Sequence, residues 1–198
     1  VLSILTVAAA LNCWTLAGDR YRLPPYLLYA VAETESSFDP RAVAYARNGS
    51  HSIGLMQINS SWLPKLAKAG VSESDLWDPC TNVMVGGWIL SEGVRQYGYT
   101  WKAVGSYYAG PYDPNSPKKI RDYQTYANAV LTHWNDAIQG QLQVPAMQKP
   151  PSHRRRETQW IGDIGIRPMP TTVAVIDSSP TPSTAAVSSV PAGKERTQ

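Results

Sequence analysis

Two glutamates close an apolar run in this chain, within Val31-Ala32-Glu33-Thr34-Glu35-Ser36-Ser37-Phe38. Two residues apart, they cannot share one helix face, so one meets solvent while the other turns inward. A carboxylic acid at a helix end, beside an apolar floor, holds its proton to a higher pH than a free one. It can then act as a general acid. Glu35 is the candidate. Alone the pair is a weak signal, because most glutamates are solvated surface charges. A second stretch, Ser52-Ile53-Gly54-Leu55-Met56-Gln57-Ile58-Asn59-Ser60, is low in charge and carries two amides, Gln57 and Asn59. Amides both donate and accept, which suits sugar hydroxyls and N-acetyl groups. Gly54 allows close backbone approach. The plainer alternative is a turn with a satisfied glutamine. Other chemistries lack their residues. His51, His133 and His153 are scattered, without an H-x-x-x-H pattern, and there is neither a phosphate loop nor a C-x-x-C pair. No metal and no cofactor are expected.

The elements that must position these residues follow from periodicity. From Pro24, apolar Leu27, Leu28, Val31 and Ala32 repeat at helical spacing to about Ser36, and Asp39-Pro40 stops the helix. The stretch from Val43 to Ile58 has no helical period, and Asn48-Gly49 marks a turn, so a small turn-rich or hairpin element is expected. Ser60 or Ser61 caps a short helix to Ala69, and Ser72-x-x-Asp75 opens another. A longer helix runs from Thr81 or Asn82 to Tyr97, with Trp88 as core. Gly86-Gly87 inside it calls for a close-packed neighbour. Thr100 caps a helix with Trp101, Val104, Tyr107 and Tyr108. Ala109 to Ser116 is a loop, and Lys118 to about Gln139 is a last helix that carries Trp134 as core. Trp101, Tyr107, Tyr108 and Tyr112 are candidates to flank a groove and stack on sugar faces, besides packing.

The 198 residues divide unevenly. Residues 1–140 are formally neutral, so the net charge of +3 belongs to residues 141–198. All eleven Tyr and the single Phe precede residue 141. The core is therefore expected in residues 11–140. Residues 141–198 are Pro-, Ser- and Thr-rich and read as a mostly disordered tether, with Arg154-Arg155-Arg156 as a solvated or docking cluster. Nucleic acid is not an expected partner at this charge. The apolar Val1–Ala10 stretch resembles a signal-peptide remnant, with an apolar first helix as the alternative. If the chain is exported, Cys13 and Cys80 are free to form one bridge; two buried thiols are the alternative.

The glutamate motif, followed by Gly54-Leu55-Met56-Gln57, then Ser106-Tyr107-Tyr108-Ala109-Gly110, then Tyr126-Ala127, resembles the soluble-lytic-transglycosylase family, which shares the goose-type lysozyme fold. Cys13-Trp14, Asn48-Gly49-Ser50 and Asp78-Pro79-Cys80 are similar to small periplasmic members that serve type III secretion, type IV pilus or conjugation machines. The resemblance spans about residues 12–135 and implies several things. The fold would be one mostly α, lysozyme-like domain. Glu35 would be the catalytic acid and base. Gln57, Asn59, Tyr107, Tyr108 and Tyr126 would contact substrate, with Cys13 and Cys80 paired. The substrate would be the glycan strand of peptidoglycan, cleaved in the periplasm by a monomer. Protein partners in an envelope-spanning machine would be met through the tail. One position departs from the family pattern: Tyr108 stands where an Asn is usual.

In that family the muramyl O6 replaces water as nucleophile, and one Glu suffices. Ordinary glycosidases need two carboxylates, and the sequence offers no second one with an obvious place. Two readings remain beside it: a hydrolytic muramidase, and a weakly active or inactive glycan-binding component.

Overall fold

The computed structural model of the chain describes residues 12–145 and Met147. Residues 1–10 and 148–198, which hold the expected export remnant and nearly all of the expected tail, lie outside the described residues. The order is helix α1 (Cys13–Tyr21), α2 (Pro25–Ser36), strands β1 (Val43–Tyr45), β2 (His51–Ile53) and β3 (Ile58–Asn59), then α3 (Leu63–Lys68), α4 (Pro79–Tyr97), α5 (Trp101–Ala109) and α6 (Pro117–Ile138). The fold is mostly α with a small antiparallel sheet in the order β1-β2-β3, as expected. None of the described helices is long and apolar enough to cross a membrane.

The core lies where α1, α2, α4, α5 and α6 meet. Trp14, Leu28, Val31, Leu90 and Val130 are wholly buried there. Pro25 starts α2 at a position where its missing N–H costs nothing. Past its end, Ser37 and Phe38 take left-handed backbone (φ 50° and 60°), which stops the helix and turns the chain toward the sheet. The close neighbours that Gly86-Gly87 calls for are Met56 and Tyr21. A side chain at Gly86 would collide with Met56, so α4 is bare there to let the 54–57 loop seat against it.

Three local expectations are revised. Helix α1 is an addition to the expected elements: Cys13, Trp14, Ala17 and Tyr21 recur at helical spacing and form its buried face. Helix α4 begins at Pro79, with Asp78 as the cap whose carboxylate takes the Thr81 N–H. Asn59, rather than Ser60 or Ser61, caps the next segment, which opens as a single 3-10 turn (Ser60–Trp62). Trp101 is half-buried and packs against the core, with its indole N–H buried. Trp88 is core, and Trp134 packs half-buried against it.

Cys13 and Cys80 are bonded, with Cα atoms 5.3 Å apart. The bridge ties the first turn of α1 to the first turn of α4. After α6 the chain folds back on the same place. The Trp14 indole donates to the Pro145 carbonyl at 3.3 Å, and the Cys13 N–H donates to the Met147 carbonyl at 3.3 Å. Val144 and Met147 pack on the core. Domain contacts therefore run past the expected boundary at residue 140, to residue 147.

Candidate active site

Glu35 sits in the last turn of α2 and is half-buried. Its Oε1 accepts a hydrogen bond of 2.6 Å from the Tyr126 hydroxyl on α6. Burial raises the carboxyl from 4.5 to about 7, and the Tyr126 hydroxyl, which favours the carboxylate, pulls weakly the other way. The desolvation that lifts Glu35 also lifts both nearby phenols, Tyr107 and Tyr126, well above 10, and the Glu35 charge adds to it. Both therefore keep their protons and act as donors.

The three tyrosines form an aromatic layer against this carboxyl. The Tyr108 ring lies nearly parallel to Tyr126, with centroids 5.3 Å apart and 9° between planes. Tyr107 is 6.5 Å from Tyr126 at 12°. Tyr108 is 64% exposed, so one broad aromatic face opens to solvent beside Glu35. Tyr112 sits apart from this layer. It packs edge-on against Tyr123, with Lys102 over its ring.

The 54–57 loop is held by side chains from three helices. Ser36, next to Glu35, donates to the Leu55 carbonyl at 2.8 Å. Tyr107 donates to the Met56 carbonyl at 2.7 Å. Asn82, 1% exposed, accepts from the Met56 N–H at 2.8 Å and donates to the Ile53 and Leu76 carbonyls, both at 2.9 Å. Gly54 (φ +74°) is needed here, since a Cβ would strike the Asn82 amide. Gln57 has φ +45°, a strained value for a residue with a side chain. With Ser37 and Phe38, it makes three such residues around Glu35.

The structure thus brings Glu35, Tyr107, Tyr108 and Tyr126 together. The Gln57 amide donates to the Ala42 carbonyl at 3.1 Å and the Gly54 carbonyl at 3.0 Å, so both its N–H groups are spent and only its oxygen remains to meet a ligand. Asn59 is different. Its oxygen takes the Ser61 N–H and its nitrogen donates to Ser50 and Ser52, which makes it a joint of the sheet. Asn82 and Ser36 were missed as site builders. The signal for Asn82 was a polar residue on the same helical face as Gly86 and Ile89, at spacings of four and seven. Among the described residues, no three His, Cys, Asp or Glu side chains gather as metal ligands.

The Tyr126→Phe change tests the hydrogen bond to Glu35. Losing a donor that favours the carboxylate moves the Glu35 titration further upward. The high-pH limb of a pH–rate profile is expected to shift up; an unmoved limb would show that the bond is weak in solution.

The model of the transglycosylase SLT domain matches residues 12–130. The chain belongs to this family. Among related proteins, Invasion protein IagB of Salmonella typhimurium (strain SL1344) is 44% identical over 135 residues, covering 68% of this chain and 81% of IagB. Protein IpgF of Shigella flexneri is 42% identical over 124 residues, covering 62% and 79%. Among solved structures, an inactive mutant of lytic transglycosylase Slt from Pseudomonas aeruginosa is similar with a TM-score of 0.51 at 20% identity. That likeness covers 66% of this chain and 24% of that one. The chain thus spans about a quarter of that larger protein, and the likeness speaks to the fold.

Proposed function

We propose that this SLT-family chain is a peptidoglycan lytic transglycosylase with Glu35 as its only acid and base. The observation that carries the reading is a half-buried carboxyl held near 7 and gripped by Tyr126. Such a group is protonated often enough to act as an acid and is a strong enough base afterwards. Glu35 gives its proton to the oxygen linking N-acetylmuramic acid to N-acetylglucosamine, and the bond from that oxygen to muramyl C1 breaks. The muramyl O6 closes on C1, and its proton passes to the Glu35 carboxylate. No water is consumed, and the product ends in 1,6-anhydromuramic acid. One carboxyl serves both steps, so the reaction needs no second carboxylate.

Gln57 meets the substrate through its amide oxygen, Tyr107 and Tyr126 shape the pocket around the acid, and the open face of Tyr108 stacks on a sugar ring. The Cys13–Cys80 bridge is consistent with an oxidising compartment, and we place the chain in the periplasm, opening the wall locally for an envelope-spanning machine. Mass spectrometry of digested sacculi tests the reaction. Anhydromuramyl ends are expected. Reducing muramyl ends would make the chain a hydrolytic muramidase instead. Strands bound but uncut would leave it a glycan-binding component, a reading favoured by the bulky Tyr108 over Tyr126.

A further inference from the structure

Strand β1 is exposed along its whole length, with Val43 at 40% and Tyr45 at 83%. It is an edge strand, paired to β2 alone. The Ala46 N–H donates to the Ser50 carbonyl at 2.8 Å, and the Gly54 N–H to the Ala42 carbonyl at 2.9 Å. Antiparallel ladders alternate, so residues 42, 44 and 46 turn their polar groups toward β2. Val43 and Tyr45 turn theirs to the open edge. Sheets usually shield such an edge; this one is flanked by two arginines. Arg41 and Arg47 are both exposed, and neither makes an ion pair among the described residues. The adjacent acids are engaged: Asp39 takes the Arg41 N–H at 2.8 Å, and Glu73 pairs with His51 at 3.0 Å. The edge is continuous with the candidate site, because the Ala42 carbonyl that receives Gly54 also receives the Gln57 amide at 3.1 Å.

We propose that the β1 edge, from Arg41 to Arg47, binds the peptide stem of the glycan substrate. The inference rests on the peptidoglycan reading above and adds a subsite to it. A stem is a short peptide with several carboxylates and solvent-exposed amides. The two guanidiniums take carboxylates, and the outward N–H and C=O groups of Val43 and Tyr45 take amides, as in strand addition. The Tyr45 ring covers aliphatic parts of the stem. A three-residue edge with two outward residues suits a short stem better than a long protein strand.

The test measures binding by the full chain carrying Glu35→Gln, which prevents turnover. The probes are glycan strands with intact stems and the same strands stripped of stems by an amidase. Stem-bearing strands are expected to bind about tenfold more tightly, the scale of a few charge-assisted contacts. Adding Arg41→Gln with Arg47→Gln is expected to erase that difference, with affinity for stripped strands and the unfolding midpoint unchanged. Tyr45→Pro removes one outward N–H without touching the inner ladder and is expected to reduce it. Equal affinity for the two probes, or a difference that survives the arginine changes, would overturn the proposal. Stem-dependent binding by a chain whose parent cleaves neither probe would keep this subsite and defeat the enzymatic reading.

Discussion

Glu35→Gln is expected to lower the rate of glycan-strand cleavage by about a thousandfold or more, since glutamine can neither give nor take a proton at the scissile oxygen. The amide keeps the size of the side chain, and its oxygen still accepts from Tyr126. Turnover of purified strands at neutral pH reads the loss. Retention of more than a tenth of the parent rate would remove Glu35 from the chemistry. The same change should stabilise the fold at high pH. Glu35 titrates near 7 in the folded chain against 4.5 in water, so folding favours its protonated form. Its contribution is fully present below about pH 4.5 and is lost as pH rises through 7. The full shift corresponds to roughly 3 kcal/mol, and solvent access to a half-buried carboxyl reduces this to about 1–2 kcal/mol. Denaturant melts should show the variant and parent nearly equal at pH 4, and the variant more stable at pH 8. Opposite signs for activity and stability mark a group placed for chemistry rather than for folding.

Asn82→Ala is the change expected to cost most in stability. The Asn82 amide serves the Met56 N–H and the Ile53 and Leu76 carbonyls, all inside the protein. Truncation strands three backbone groups away from water, a loss of about 3–5 kcal/mol. That is a large share of the stability of an ordinary domain. The unfolding midpoint is expected to fall by roughly 10–20 °C. Asn82→Asp separates the contacts: a carboxylate still accepts from Met56 but cannot donate to the two carbonyls, so it too should destabilise. Below its melting point the Ala variant should cut glycan slowly, because Gln57 depends on the same loop. A shift of less than about 1 kcal/mol would mean the loop is held by Tyr107 and Ser36 alone.

Much of the fold was legible because its signals are local. The Pro25 start of α2, the Asn48-Gly49 turn and the capping box at Ser72 each depend on a few neighbouring residues. Helix α1 carries a local signal too, in Cys13, Trp14, Ala17 and Tyr21; what its nine residues do not show is that the Pro145 and Met147 carbonyls return to meet them. The part Asn59 plays in joining the sheet was not legible from its type and neighbours. Its partners, Ser50 and Ser52, lie across the sheet, and only the register of β2 against β3 brings them within reach.

At the site the same division holds. The sequence alone placed Glu35 at the end of an apolar helix as a candidate acid, a weak signal by period and type that the family resemblance strengthened. It also showed that the stretch from Val43 to Ile58 would be turn-rich or a hairpin and that four motifs stand in order. Only the tertiary structure decided that Glu35 holds its proton near neutral pH, because that depends on how much water the packing of α2 against α5 and α6 removes. It alone gave the carboxyl its partner Tyr126, turned Gln57 so that only its oxygen is free, and made Asn82 the anchor of the loop. Each of these is a contact between residues far apart in the chain. Desolvation and hydrogen-bond geometry are properties of the packed interior, and no local pattern of residue types encodes them.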